Sequence, residues 1–266
     1  MTLWNTFTFG GISSDTYGVM ISGDGVYDAP ARAYEMVSIP GRNGDLSIDQ
    51  KRYENLQLTY PAFIVDGFPN NVRDFRNKLL AKPGYQKLTD TYHTDEYRMG
   101  IYAGGLEVDP VQRGTAGSFD ITFNCKPQRY LVSGETEVSF TINQSLIDEN
   151  DVDITDENNN VLEVDAPAAA FITNPTDCIA KPLLIITGIG TVSIGDTTVT
   201  ITGTSTQVLY LDCDIMEAYT LNGTAIVPAN DKVTLSGHKY PTLEPGNTGV
   251  TFSTSDLSIV PRWWRL

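Results

Sequence analysis

The sequence predicts a mainly β protein of two domains, and three observations support this fold class. The chain of 266 residues is long enough for one large or two modest domains with sizeable cores. Hydrophobic residues make up 41 % and charged residues 19 %, which is typical of a globular chain. Thr, Val, Ile and Tyr are frequent, and 23 Gly and 14 Pro are spread along the chain, so strands and turns are favoured over helices.

The first half is predicted to form a β-sandwich with one helix. Alternating or β-branched runs predict strands over residues 6–9, 19–21, 58–65, 85–88, 97–102 and 118–126. The alternation in the last run places Cys125 on the inward face, and Pro127 is expected to end that strand. Residues 90–96, which include His93, are expected to form a polar turn at the surface.

The helix is predicted over residues 68–80. The residues that recur at the spacing of one apolar helix face are Val72, Phe75, Leu79 and Leu80. Asn70 or Asn71 is expected to cap the N-terminus, and Lys82-Pro83-Gly84 to end the helix. This apolar face predicts that the helix covers one side of a sheet.

The segment Ser38–Leu46, read S-I-P-G-R-N-G-D-L, carries two turn signals. Pro fixes φ, and Gly and Asn tolerate positive φ. An apolar-rich run over 34–39 precedes the segment and an alternating run follows it. A long projecting hairpin is therefore predicted, with one base, Arg42, at its tip. An ordinary surface hairpin fits the same residues.

A domain boundary is predicted after residue 134, which gives domains over residues 1–134 and 135–266. Candidate strands in the second domain cover 136–142, 183–187, 191–194, 197–202, 207–211, 216–221, 232–235 and 250–252. Short strands separated by turns at this spacing predict a β-sandwich or jelly roll. The acidic segment 148–160 departs from the calcium-loop pattern at Asp156 and Leu162, so a solvated loop is predicted there.

No reactive centre is predicted, and therefore no enzyme activity, cofactor or metal. The two histidines, His93 and His238, have no second ligand at metal-binding spacing and are expected at the surface. No nucleophile motif or phosphate-binding loop follows a strand. A glycosidase pair of carboxylates on separate strands stays an alternative, because the sequence does not give the distance between them.

The net charge and the cysteines argue against a nucleic-acid-binding, membrane-binding or disulfide-rich protein. The net charge of −15 argues against binding to nucleic acid or to an anionic membrane, since both need basic side chains. Cys125, Cys178 and Cys213 show no C-x-x-C spacing and are expected to be free thiols in a reducing compartment. The N-terminus lacks a basic signal-peptide region, and no apolar run nears the ~20 residues of a membrane span. We therefore expect synthesis in a cytoplasm and no membrane insertion.

Several motifs together resemble those of siphophage distal tail proteins over nearly the whole chain. The first half has F-x-F-x-G-x-x-S (Phe7 to Ser14) and I-P-G-R-x-G (Ile39 to Gly44). The second half has I-T-N-P from Ile172, Lys181-Pro182, L-Y-L-D-C-D from Leu209, Y-P-T-L-E-P-G-N from Tyr240 and the terminal P-R-W-W. Cys213-Asp214 replaces the polar-acidic ending that is usual in the family. Each motif is weak alone, and their order and spacing carry the resemblance.

The resemblance implies a hub ring of six copies at the distal end of a long non-contractile tail. The first domains would form the ring, and the second domains, galectin-like β-sandwiches, would project outward. The hub would join the tail-tube protein to the tail-associated fibre or lysin protein and carry receptor-binding or baseplate proteins. DNA would pass through an acidic lumen without specific binding. The protein would lie in the virion, after assembly in the host cytoplasm.

The subunit interface is predicted at the hairpin and at two C-terminal tryptophans, which could instead pack onto their own domain. The candidate interface residues are Ile39, Gly41, Arg42, Asn43, Gly44, Tyr53, Trp263 and Trp264. One rival function is a carbohydrate-binding module for host cell-wall glycans, with Tyr210, Tyr219 and Tyr240 as its aromatic residues. Another is a tail-tube subunit, although a large second domain argues for a hub.

Overall fold

The computed structural model describes residues 4–23, 25–102, 104–111, 115–141, 144–145, 158, 163–164 and 170–266. The chain divides into two compact units, the first up to Tyr130 and the second from Leu131 to Arg265. The predicted boundary after residue 134 falls in the short 3₁₀ turn Val132–Glu135 of the second unit. Apart from Asn158, the predicted loop over 148–160 lies outside the described residues.

The first unit is a β-sheet covered by one α-helix. Its strands are β1 (Phe7–Phe9), β2 (Ile12–Ser13), β3 (Val19–Ile21), β4 (Arg32–Val37), β5 (Leu46–Tyr53), β6 (Leu56–Ile64), β7 (Gln86–Asp90), β8 (His93–Ile101), β9 (Asp109–Val111) and β10 (Ala116–Leu131). Helix α1 covers Asn70–Leu80, and Asp15–Tyr17 forms a 3₁₀ turn. The strands of the main sheet follow the order β2-β1-β7-β8-β10-β6-β3, with β9 also beside β10. Among the described residues, strands β4 and β5 pair with each other alone and form a separate two-stranded sheet.

Aromatic rings form the core between this sheet and the helix. The ring of Phe7 stacks on Tyr60 at 5.4 Å between centroids and meets Phe123 edge-on at 5.4 Å. Phe75 reaches the same ring from the helix, with centroids 6.0 Å apart. Offset and edge-on arrangements are those that aromatic quadrupoles favour. The predicted apolar helix face is thus confirmed for Val72, Phe75 and Leu79, which are buried.

Two predictions about the helix are wrong. Leu80 lies at the helix C-terminus and is 55 % exposed, outside the buried face. Neither Asn70 nor Asn71 is the N-cap, because the chain enters the helix through Pro69, and both residues are already helical. The side chain of Asn71 instead donates to the carbonyl of Asp66 at 3.3 Å.

Two predictions about the strands are also wrong. Pro127 does not end its strand, since β10 runs on to Leu131. Pairing with β6 stops at Cys125, so the missing N–H of Pro127 removes no bond from that ladder. The turn predicted over residues 90–96 is also too long, because only residues 91 and 92 form it. The carboxylate of Asp90 accepts hydrogen bonds from the backbone N–H groups of residues 92 and 93 and closes this tight reversal. His93 therefore begins β8 and is half-buried.

The second unit consists mainly of two packed sheets. Its strands are β11 (Val138–Thr141), β12 (Gln144–Ser145), β13 (Glu163–Val164), β14 (Ala170–Asn174), β15 (Leu183–Thr187), β16 (Gly190–Ile194), β17 (Thr197–Ile201), β18 (Val208–Asp212), β19 (Glu217–Asn222), β20 (Ala225–Pro228), β21 (Val233–Leu235), β22 (Gly246–Phe252), β23 (Asp256–Val260) and β24 (Trp264–Arg265). A six-stranded sheet has the order β11-β23-β15-β18-β19-β20, and a five-stranded sheet has β14-β22-β16-β17-β21. Short 3₁₀ turns cover Asn230–Lys232 and Ser236–His238.

One hydrophobic core lies between these two sheets. Leu184 and Leu209 enter it from the six-stranded sheet, and Val192, Val199 and Phe252 enter it from the five-stranded sheet. Along β15, β16 and β22, alternation turns every second side chain inward, as expected for a sandwich. The predicted mainly β class is confirmed. Within the described part of the chain, no helix is long and apolar enough to span a membrane.

Candidate functional site

The tip of the hairpin has the turn chemistry that its sequence predicts. The backbone N–H of Arg42 donates to the carbonyl of Ile39 at 3.1 Å, which closes a four-residue turn. Pro40 and Gly41 occupy its centre, and Gly41 has φ 81°, as position i+2 of a type II turn requires. Gly44 also has φ 81°. Local residue preferences therefore determine the tip.

The two arms of the hairpin are antiparallel and contain one irregularity. Val37 pairs with Leu46, and the pairing continues to Arg32 and Tyr53 with a register shift on the way. On β5, Lys51 has φ 56°, and its N–H donates to the carboxylate of Asp49 at 2.9 Å. A bulge of this kind bends and twists a strand.

Exposed apolar side chains lie on both faces of the hairpin. The register places Tyr34 and Met36 on one face, 51 % and 64 % exposed. It places Val37, Leu46 and Ile48 on the other face, and all three are exposed. An isolated two-stranded hairpin is marginally stable in water, and clustered apolar surface marks an interaction site. The sequence shows the alternation at residues 46 and 48. It does not show that no other layer covers the face on which these two side chains lie.

An ion pair ties the arms together at the base of the hairpin. The guanidinium of Arg32 donates to both carboxylate oxygens of Asp49, with Nη2–Oδ2 at 2.6 Å. It also donates to the hydroxyl of Tyr53 at 3.3 Å. The hydrogen bond from Arg32 holds the pKa of Asp49 below its ordinary value. Tyr53, predicted as an interface residue, thus helps to order the base of the hairpin.

Two buried arginines hold the loop that leads into the hairpin. Arg98 on β8 donates to the carbonyl of Asp28 at 3.3 Å. Arg129 on β10 donates to the carbonyl of Val26 and pairs with the carboxylate of Glu96 at 3.4 Å. Burial, together with the nearby charge of Arg129, lowers the pKa of Arg98. These contacts connect the hairpin base to the main sheet of the first unit.

The remaining predicted interface residues differ in their surroundings. Ile39, Gly41, Arg42, Asn43 and Gly44 are all exposed at the tip. Trp263 is only 5 % exposed and belongs to the core of the second unit. The indole N–H of Trp264 donates to the carbonyl of Ile179 at 2.9 Å. The structure thus packs both tryptophans within the chain, which is the alternative to an interface role.

Several polar side chains of the first unit line one small cavity. Its volume is about 20 Å³, and its lining includes Tyr60, Asp90, His93 and Arg98. The hydroxyl of Tyr60 donates to Asp90 at 2.7 Å. A space of this size holds about one water molecule. Among the described residues, no group of His, Cys, Asp and Glu is placed to hold a metal ion.

The three aromatic residues of the rival sugar-binding hypothesis make contacts within the second unit. Tyr210 and Tyr219 stack on each other with centroids 5.3 Å apart and an interplanar angle of 5°. The hydroxyl of Tyr240 donates to the carbonyl of Met216 at 2.6 Å. Each of the three is half-buried.

Comparison with known proteins identifies the class of this fold. No protein-family model matches the sequence, and no curated protein matches it. Solved structures do match over nearly the full length, and they come from the hub and baseplate of phage tails. The chain therefore has the fold of phage distal tail proteins, and the resemblance predicted from the motifs is confirmed as a likeness of fold.

Particular neighbours define this likeness. The crystal structure of the SPP1 Dit (gp 19.1) protein, described as a paradigm of the hub adsorption apparatus in phages that infect Gram-positive bacteria, matches with a TM-score of 0.67 and 16 % identity. The match covers 98 % of this chain and 99 % of that one. The phage p2 baseplate in its activated conformation with Sr gives a TM-score of 0.53 at 12 % identity, over 99 % of this chain and 98 % of that one. The same baseplate with Ca gives a TM-score of 0.53 at 12 % identity, and the match covers 97 % of this chain and 98 % of that one.

Proposed function

We propose that this protein is a structural subunit of a phage tail hub, without enzyme activity. Copies assemble into a ring, six by resemblance to the distal tail family, at the distal end of the tail. The ring joins the tail-tube protein to the tail-tip fibre or lysin protein and to receptor-binding or baseplate proteins. The fold shared with SPP1 Dit and the p2 baseplate supports this proposal.

The main structural support for ring assembly is the exposed hairpin formed by β4 and β5. It is a two-stranded sheet with exposed apolar side chains on both faces, and nothing within its own sheet covers them. Removing apolar area from water contributes about 25 cal/mol per Å², which favours association against the entropy lost when two copies bind. A ring needs a heterologous contact, in which one surface of a copy binds a different surface of the next. A projecting hairpin that inserts against a neighbouring copy meets this requirement.

The charge of the chain suits a channel through which DNA passes. At −15 net charge, the protein repels phosphate and would not retain the passing duplex. The first unit carries an open acidic groove, lined in part by Glu107, Asp109 and Asp120. We propose that acidic surface of this kind faces the lumen. Retention of duplex DNA by the assembled ring at physiological salt would contradict this part of the proposal.

The test is the mass of the assembled protein in solution. Native mass spectrometry of the full chain is expected to give a hexamer. The double variant Met36→Asp/Leu46→Asp places one charge on each hairpin face and is expected to give single protomers. Arg42→Glu, at the tip, is expected to weaken the ring. Circular dichroism checks that each variant keeps its strands.

A matched control separates the hairpin from surface charge in general. Ile226 is 68 % exposed on β20, close to the exposure of Met36, but it lies in the second unit. Ile226→Asp is expected to leave the ring mass unchanged. Single protomers of the wild type at every concentration, or a hexamer in the Met36→Asp/Leu46→Asp variant, would overturn the assembly role of the hairpin.

A further inference from the structure

The dipeptide Asn-Gly occurs twice in the chain, and each copy lies at the end of a β-hairpin. Asn43-Gly44 lies at the tip of the hairpin formed by β4 and β5. Asn222-Gly223 lies where β19 turns into β20. All four residues are exposed to solvent. The glycine matters chemically, because a residue without a Cβ atom leaves its backbone nitrogen unhindered as a nucleophile.

The backbone around Asn43 is not held by strand pairing. The ladder of this hairpin ends at Val37 and Leu46, so residues 38–45 lie outside it. Among the backbone hydrogen bonds of this segment, which the structure describes throughout, none involves Asn43 or Gly44. A Cβ atom added at Gly44 would meet no other atom within 4 Å. The peptide unit between Asn43 and Gly44 can therefore rotate without breaking a backbone hydrogen bond.

The backbone at Asn222 is restrained by a ladder. Asn222 pairs with Ala225 as the last pair between β19 and β20, and two residues, Gly223 and Thr224, form the reversal between them. Gly223 has φ 63°, the left-handed value that a tight two-residue turn requires. Rotation of a peptide unit at the end of a ladder disrupts that pairing. The two Asn-Gly sites thus match in sequence and exposure and differ in how the backbone is held.

We propose that Asn43 is a site of spontaneous modification, at which its amide converts to a carboxylate through a cyclic imide. The backbone nitrogen of Gly44 attacks the side-chain carbonyl carbon of Asn43, and a new C–N bond forms. The bond from that carbon to the amide nitrogen breaks, and this nitrogen leaves as ammonia with the backbone proton. Water then adds to either carbonyl of the imide and breaks one of its C–N bonds. The products are aspartate and isoaspartate, in which the main chain runs through the side-chain methylene group.

The structure favours this reaction at Asn43 over Asn222. The attack requires the peptide unit after the asparagine to turn until its nitrogen faces the side-chain carbonyl carbon, since reacting atoms must be close and aligned. The unpaired segment at the hairpin tip permits this rotation. At Asn222 the end of the ladder must first open, and local opening of paired backbone costs free energy.

The modification has a consequence for the hub, which rests on the proposed function. Either product places a negative charge next to Arg42, the base at the predicted interface. Isoaspartate also adds one carbon atom to the main chain of the tip, which changes the shape that a neighbouring copy would contact. We therefore expect modified chains to be under-represented in the ring and enriched among unassembled protomers.

Peptide mapping of the full chain, incubated at pH 8, measures both sites in one sample. In the folded protein, aspartate and isoaspartate are expected to accumulate about tenfold faster at Asn43 than at Asn222. In guanidinium chloride the two sites are expected to react at similar rates, because the ladder is lost. Incubation in heavy-oxygen water is expected to label the new carboxylate, since water opens the imide.

Two matched variants control for the position of the reaction. Asn43→Gln is expected to suppress the modification at the tip, because attack on Gln needs a larger ring that closes more slowly. Asn222→Gln is expected to leave the rate at Asn43 unchanged. Circular dichroism checks that both variants keep their strands.

Two results would overturn the modification site. They are an Asn43 that keeps its amide in the folded protein, and an Asn222 that reacts as fast as Asn43 in the folded protein. Equal shares of modified chains in the ring and protomer fractions would remove the effect on assembly. Protein that forms no ring but still reacts at Asn43 would contradict the hub function and support the modification site.

Discussion

The carboxylate of Asp212 accepts hydrogen bonds from both terminal nitrogens of Arg262, a residue 50 positions later in the chain. The distances are 2.7 Å for Nη1–Oδ1 and 2.8 Å for Nη2–Oδ2. The same carboxylate accepts the backbone N–H groups of Asp214 and Ile215. Arg262 itself has φ 58°, a conformation that a non-glycine residue adopts at a cost. The pair therefore connects the C-terminal segment to the end of β18 within the second unit.

Removing the Asp212 carboxylate is expected to destabilise the second unit. Asp212→Ala leaves the partly buried guanidinium of Arg262 and two N–H groups without their acceptor, at a cost of about 3 kcal/mol. Urea unfolding followed by Trp fluorescence measures the change. Asp214→Ala is the control, because its pair with Lys181 at 3.3 Å is half-exposed and is worth about 0–1 kcal/mol. Equal losses in the two variants would contradict this interpretation.

The same pair is expected to make stability depend on pH. Burial acts to raise the pKa of Asp212, but hydrogen bonds and charge from Arg262 outweigh it, so the pKa lies below its ordinary value of 3.8. As the pH falls, the unfolded chain binds this proton first, and the folded state loses its advantage. The stability difference between wild type and Asp212→Asn should be full at neutral pH and shrink below about pH 4. A difference that is constant from pH 7 to pH 3 would contradict the shift.

Two adjacent leucines on the helix test the corrected apolar face. Leu79 is fully buried and Leu80 is 55 % exposed. Leu79→Ala is expected to cost about 2–5 kcal/mol, because it leaves a cavity beneath the helix. Leu80→Ala is expected to cost less than about 0.5 kcal/mol. The chemical change is identical, so similar unfolding midpoints for the two variants would contradict the observed orientation of the helix.

The cysteines are expected to differ in reactivity. Burial raises the pKa of Cys125 to about 11 and that of Cys213 to about 12. Both thiols are therefore protonated and shielded at pH 8, whereas Cys178 is only half-buried. Iodoacetamide followed by mass spectrometry should modify Cys178 first in the native protein and all three in guanidinium chloride. Rapid native labelling of Cys125 would show that its strand opens readily.

Local chemistry made the hairpin tip and the helix predictable. Pro40 and Gly41 have the φ preferences that their turn needs, and these preferences act over four residues. The spacing of Val72, Phe75 and Leu79 reports one helix face in the same way. Predictions were wrong where a residue far away in the sequence determines whether a side chain is buried. Glu96 is buried because Arg129, on another strand, accompanies it.

The order of residues determined by itself the mainly β class, the hairpin and the inward face of β10, because turn preferences and strand alternation are short-range properties of the chain. The tertiary structure alone decided that Trp263 lies in a core and that the hairpin carries uncovered apolar side chains on both faces. These facts depend on which strands pair and on which surfaces are buried by other parts of the chain. Such contacts join residues far apart in sequence, and no local pattern encodes them.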